Sequence, residues 1–181
     1  MSETVSQTDI LIHQCNNFVL SKVHQRLVEA LGSLSWTQKV VVPVRYRPRG
    51  SSGSGSETPG ATLHYRWYPN FLRFFPLIKV ILVALRCFPV YRRAASGDRC
   101  LSVVAHNFWS DGAVVFLLSR VLPLRYVLVV RNTDINIFIP RLVYGRWLMR
   151  LMIRDADRLV FVSEAHRRRF EERYTGLARQ A

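Results

Sequence analysis

CLSVVAHNFWSDGAVVFLLSRVLPLRYVLVVRNTDIN, residues 100–136, decides the architecture. Residues 100–105 (CLSVVA) and 126–130 (YVLVV) are almost continuously apolar, the pattern of strands buried on both faces. Between them, residues 111–122 read as a helix. A strand, a helix of ten or more residues and a second strand make the βαβ unit of a parallel sheet.

The same alternation continues outward. Downstream, residues 135–153 read as a helix, 158–162 (RLVFV) as a strand, and Ser163 or Glu164 opens a last helix ending near Arg173. Upstream, residues 9–13 (DILIH) read as the first strand, followed by the polar break Asn16-Asn17. Residues 18–34 then place Val19, Val23, Leu27 and Leu31 at helical spacing, with Gly32 where the helix should end. Residues 39–44 (KVVVPV) form a second strand, and Pro43 marks it as an edge or a strand end. A third strand is expected over 61–67, and residues 69–93 are mostly helical despite their prolines. The order specifies an α/β protein: a Rossmann-like three-layer sandwich with a mainly parallel sheet of about six strands.

Length and composition set further bounds. The 181 residues fit a single domain, 1–181, with a flexible loop at about 45–60 around the run GSSGSGSETPG. A hydrophobic content of 49% excludes a disordered chain. Cys15, Cys87 and Cys100 form no close pair, which excludes a zinc ribbon and a thioredoxin-type motif and suits a reducing compartment. The 26 basic residues against 12 acidic ones give a net charge of +14, and all but Lys22, Lys39 and Lys79 are Arg. The guanidinium fork binds phosphate, although an Arg-rich codon bias explains the same choice. Residues 1–9 are polar and acidic, unlike a targeting segment. The most apolar stretch, 71–91, is interrupted by Arg73, Pro76, Lys79, Arg86 and Pro89, which argues against a membrane span.

Parallel sheets bind ligands just past the carboxyl ends of their strands. The first strand is followed by Gln14, Cys15, Asn16 and Asn17, with no G-x-G-x-x-G, and the chain has no phosphate-binding P-loop motif. Asn16 and Asn17 either cap the next helix or face a ligand. The fourth strand is followed by HNFWSDG. His106 is either a proton-transfer group or a turn residue, Asp111 can cap, and Gly112 permits close backbone approach. The fifth is followed by RNTDIN, in which Arg131 and Asn132 can bind hydroxyls or phosphate and Thr133 or Asp134 can cap. Capping accounts for one polar residue there, not five. Past the sixth strand, Ser163 is a good cap and Glu164 lies near the crevice. Arg167, Arg168, Arg169, Glu171, Glu172 and Arg173 read as a solvated face with i,i+4 pairs such as Arg167 with Glu171. No grouping of His, Cys or carboxylates in the sequence suggests a metal site.

The strand ending in His, the Asp-Gly turn, RNTDIN and RDADRLVFVSEA (154–165) together resemble the amino-terminal domain of GT-B fold glycosyltransferases, most nearly the retaining transferases of family four. The resemblance runs from about residue 9 to 174. It implies an acceptor-binding half whose carboxyl-terminal donor-binding domain is absent from this chain. Such a half would be inactive alone and would transfer sugar to a glycan or lipid-linked acceptor once completed by a donor-domain partner chain. The resemblance makes His106 the catalytic residue. It places Asn16, Asn17, Asp111, Gly112, Arg131, Asn132, Thr133 and Asp134 on the acceptor side, and Ser163 and Glu164 in the cleft. No metal or tightly bound cofactor is implied, and a nucleotide-sugar is the co-substrate. Asn16 and Asn17 replace the family's usual Gly-Gly loop, so a donor-phosphate contact there is not carried over. The basic, aromatic segment 68–93 fits peripheral contact with an anionic membrane, which would place the protein in the cytoplasm, on the inner face. Two other classes remain: a basic nucleic-acid-binding module, supported by charge without a recognition motif, and a non-catalytic partner of a complete transferase.

Overall fold

The computed structural model describes residues 10–34, 36–45, 57–58, 60–95 and 100–178. In chain order the elements are β1 (Ile10–Gln14), α1 (Lys22–Ser33), β2 (Thr37–Val44), β3 (Glu57–Thr58), β4 (Ala61–Trp67), α2 (Pro76–Ala94), β5 (Leu101–Ala105), α3 (Ser110–Ser119), β6 (Leu124–Val130), α4 (Ile139–Arg141), α5 (Arg146–Asp155), β7 (Arg158–Phe161), α6 (Glu164–Arg173) and α7 (Thr175–Ala178). The sheet order is β3-β4-β2-β1-β5-β6-β7. Six strands run parallel, and the two-residue β3 pairs antiparallel with β4. The expected α/β sandwich and its parallel sheet are therefore present. The loop read at 45–60 lies outside the described residues except for Arg45, Glu57, Thr58 and Gly60, as does the segment 1–9.

The chain moves from β1 to one side of the sheet, through β2 and β4, then returns to add β5, β6 and β7 on the other. Right-handed crossovers put helices from the two directions on opposite faces. α1 accordingly packs on β2 and β4, while α2, α3 and α5 pack in series on the other face. That second face holds the larger core: Ile12, Val41, Val103, Ala105, Leu128 and Val130 against Val83, Tyr91, Val115, Met149 and Met152. Under α1 lies a smaller cluster of Cys15, Phe18, Val28, Val40, Val42 and Leu63.

Several local expectations are corrected. Of the two readings of Pro43, edge or strand end, the second holds: β2 is an interior strand and Pro43 is its penultimate residue. The β1 ladder ends at Gln14 opposite Val41 and is extended by one bond, Cys15 N–H to Val41 O at 3.1 Å. Tyr68 N–H bonds Val44 O, so Val44 faces β4 and Pro43 faces the side where β1 has already ended. The donor that proline lacks has no strand to meet. In β5 and β6 one face is buried apart from the half-buried Leu124. The other carries Ser102, Val104, Val127 and Val129, which α1 does not cover and which are exposed or half-buried. The helix expected over 18–34 is broken at Ser21, whose extended backbone separates a 3₁₀ turn, Phe18–Leu20, from α1. Its apolar stripe faces outward: Val19, Leu20, Val23 and Leu27 are exposed, and His24 and Val28 face the sheet. The segment 135–153 is a π turn (Asp134–Phe138), α4, a 3₁₀ turn (Val143–Gly145) and α5. Pro140 and the close approach of Gly145 to the Trp109 ring punctuate it.

One glycine contact fixes α1 to the sheet. Gly60 has φ +83°, and a Cβ built on it would lie 2.7 Å from the Cα of Gly32 in the last turn of α1. We expect Gly60→Ala to lower stability by about 1–3 kcal/mol through backbone strain, with further loss from the clash. Urea unfolding measures it, and an unchanged midpoint would contradict this contact.

Candidate functional site

The order of strands reverses between β1 and β5, so the loops after β1, β5 and β6 line one crevice. Two buried carboxylates tie these loops together. Asp111 Oδ2 accepts from the Asn16 backbone N–H (3.3 Å) and from Asn107 Nδ2 (2.8 Å). Asn107 Nδ2 also donates to Asn16 Oδ1 (2.7 Å), and Asn16 Nδ2 donates to Ser110 Oγ (2.9 Å). Asp134 Oδ2 accepts from the backbone N–H groups of Arg131 (2.9 Å) and Phe108 (3.3 Å). Neither carboxylate is a helix cap, and neither Asn17 nor Thr133 makes a side-chain cap bond. Gly112 is likewise committed to packing: a Cβ there would lie 2.7 Å from Leu128 Cδ2.

Beneath the loops lies a polar chain on the α1 face. Gln38 Nε2 donates to Val28 O (2.9 Å) and Gly60 O (3.3 Å), which turns Gln38 Oε1 toward His13 Nε2 at 3.0 Å. That oxygen can only accept, so His13 carries its proton on Nε2 and its Nδ1 is bare. His106 Nε2, 3.0 Å from that Nδ1, must then be the donor, which leaves His106 Nδ1 as a lone-pair site. The His24 ring meets His106 edge-on at 4.5 Å, and Arg131 Nη1 donates to His24 Nε2 at 3.4 Å. Burial pushes His13 down to about 4 and His106 to about 2, with the neighbouring histidines adding to the shift. His24 is also lowered, by burial and then by Arg131. All three rings are neutral near pH 7. His106 is 3% exposed and its ring meets His13 and His24, so the expected catalytic histidine does not open onto the crevice in this domain.

A sequence profile described as a glycosyl transferase 4-like domain matches residues 20–180. The chain belongs to this glycosyl transferase family. No curated protein matches the chain. Among solved structures, one chain of sucrose-phosphate synthase from Thermosynechococcus elongatus is similar with TM-score 0.60 and 11% identity, over 92% of this chain and 82% of that one. A second chain of that enzyme gives TM-score 0.62 and 10% identity, again over 92% of this chain. The alignment spans 45% of that second chain's length. The likeness is one of fold and agrees with the GT-B resemblance.

On this glycosyl transferase 4-like fold, the residues expected at the site divide by exposure. Asn17, Asn132, Thr133, Ser163 and Glu164 are exposed, and Asn16 and Arg131 are half-buried. Asp111, Gly112 and Asp134 are buried. Ser163 caps α6 by accepting from His166 N–H (3.3 Å), and Glu164 pairs with Arg167 (2.9 Å) and Arg168 (3.3 Å). The expected Arg167–Glu171 pair is present at 3.9 Å. His13, His24, Gln38 and Asn107 were not singled out from sequence. Asn107 lay within the quoted HNFWSDG turn. His13 and His24 show their place only when strand alternation and the true inner face of α1 are known. The structure also corrects the expectation that no metal-type grouping exists: Cys15, His24 and His106 each bring one ligand atom within 4.8 Å of the others.

Burial, opposed by the Asn107 hydrogen bond, raises the Asp111 carboxyl to about 7, and burial raises Asp134 to about 6. A carboxyl whose folded value exceeds its unfolded one gains a proton on folding between the two. Its stabilising contribution is full at low pH and lost as pH rises through the folded value. The buried histidines act in the opposite sense, losing stability as pH falls below their ordinary 6.5. Comparing variants isolates Asp111. Asp111→Asn, locked neutral, should gain stability relative to the native chain as pH rises from about 4 to about 7. Denaturation midpoints across that range test it, and a constant difference between the two chains would count against a protonated Asp111.

Proposed function

We propose that the chain is the acceptor-binding half of a GT-B glycosyltransferase. Completed by a donor-binding domain, it serves transfer of a sugar from a nucleotide-sugar to a glycan or lipid-linked acceptor. The family match over residues 20–180 carries this reading. The polar rim at the strand-order reversal supports it. Asn17, Asn132 and Thr133 are exposed and can reach acceptor hydroxyls, Asn132 through its amide nitrogen because its Oδ1 accepts from Asn136 Nδ2 (2.5 Å), and Arg131 offers a cation to an acceptor phosphate. Asp111 and Asp134 act from behind by setting the loops. No metal enters the transfer step in this reading, and the nucleotide-sugar is a co-substrate.

The test assays the purified chain alone and with the product of its neighbouring gene against a panel of nucleotide-sugars. Turnover is expected with the partner and not without it. Arg131→Ala or Asn132→Ala should raise the acceptor KM roughly tenfold or more, the effect of losing a hydrogen bond of about 1–3 kcal/mol. Turnover by the chain alone, or an unmoved acceptor KM, defeats this reading.

We also propose a peripheral membrane contact, on the cytoplasmic side, through the 3₁₀ turn Asn70–Phe74 and α2. Phe71, Phe74, Phe75, Ile78, Ile81 and Leu85 are exposed there. Arg73 stacks over Phe74 at 4.6 Å and Arg86 over Trp67 at 4.9 Å. Exposed aromatics flanked by cations suit the interface of an anionic bilayer. Among the described residues, no helix is long and apolar enough to cross a membrane. Flotation with anionic liposomes at low salt should recover the chain, and Phe74→Ser with Phe75→Ser should release it. Equal recovery with neutral liposomes removes the electrostatic part of the proposal.

A further inference from the structure

Cys15, His24 and His106 come from the end of β1, the first turns of α1 and the residue after β5. All three are buried, at 0%, 6% and 3% exposure, and one ligand atom from each lies within 4.8 Å of the other two. We propose that they form a three-coordinate site for a soft, thiolate-binding metal ion, Cu(I) in preference to Zn(II). The site does not depend on the acceptor reading, and it would clamp α1 to the central strands instead of entering sugar transfer.

Four observations carry the proposal. The donor set comes first: a thiolate with two imidazoles selects Cu(I) or Zn(II) over harder ions. The second is the tautomer. His106 Nε2 donates to His13, itself oriented by Gln38, which leaves Nδ1 bare. Metal-bound imidazoles are held in this way, by a hydrogen bond from the nitrogen that does not ligate. The third is the slack in His24, whose Nε2 makes only the long 3.4 Å contact with Arg131 and can exchange it for a metal bond. The fourth is charge. A monovalent ion and one thiolate leave the site neutral beside the Arg131 guanidinium. A divalent ion would leave a buried positive charge there, which is costly without an ionised partner.

Binding is a proton exchange. The Cys15 S–H bond breaks, sulfur bonds the metal, and the proton leaves to solvent, with no change of oxidation state. Metal–ligand bonds of about 2.0–2.3 Å put trigonal ligands roughly 3.6 Å apart, so the three groups close by on the order of 1 Å.

The experiment is an anaerobic titration with the Cu(I)–bicinchoninate complex, using the full chain with exposed Cys100 changed to Ser. One equivalent of Cu(I) should transfer, with a new near-ultraviolet thiolate-to-metal absorption and an X-ray absorption shell of one sulfur and two nitrogens. Cys15→Ser should weaken uptake at least a hundredfold, and His24→Gln at least tenfold. Circular dichroism checks the fold of each variant; if Cys15→Ser unfolds, His24→Gln decides. No transfer, undiminished uptake by a folded variant, or tighter binding of Zn(II) than of Cu(I) overturns the proposal.

Discussion

The two parallel ladders of β1, to β2 on one side and to β5 on the other, are the constraint from which the other features follow. They place the ends of both strands side by side where the order of the sheet reverses. The backbone bond from His106 N–H to Gln14 O extends the β1–β5 ladder one step past the last strand residue. It is this step that sets His106 against His13 and brings the Asn107 side chain to Asn16. Without it, the loops after β1 and β5 would have no fixed relation, and Asp111 would have no backbone amide of Asn16 to accept from.

Buried polar groups do much of the ordering around this point. Unpaired, each would cost about 1–3 kcal/mol. Paired across elements distant in sequence, they penalise every arrangement but one. Gln38 illustrates this. Its amide is satisfied by carbonyls of α1 and of the turn before β4, and its remaining oxygen fixes the proton on His13. A residue in β2 thereby determines which nitrogen of a ring beyond β5 is free. The satisfaction is incomplete: among the described residues, Asp111 Oδ1 and Asp134 Oδ1 find no hydrogen-bond partner. That residual cost acts in the same direction as burial, which shifts both carboxyls upward.

Much of the fold was legible because its strands are short apolar runs separated by helical spacing, and the loops holding His106 and Arg131 could be located from them. What failed had physical causes. Pro43 left edge and strand end open because sequence does not reveal that the neighbouring strand stops opposite Val41, two residues earlier. Val19, Val23 and Leu27 repeat at helical spacing, which shows a helix and not its inner face: that stripe faces solvent and a histidine faces the sheet. YVLVV was read as buried twice over because composition cannot tell a covered face from a bare one. At the site, Asp111 and Asp134 are buried and bond the loops, because sequence alone does not show which way a polar side chain after a strand turns. The histidine cluster was invisible because it depends on strand register, which joins residues 13, 24 and 106 only in space.

The face of β5 and β6 that α1 leaves half-covered has a thermodynamic consequence. Heat capacity of unfolding follows newly exposed apolar area, at about 0.45 cal/mol/K per Å². Val104, Val127, Val129 and the exposed Val160 of β7 are already partly hydrated in the folded chain. They add little to that increment, so the domain's stability curve is flatter with temperature than its length alone would suggest. A helix laid over this face would steepen the curve as well as raise it.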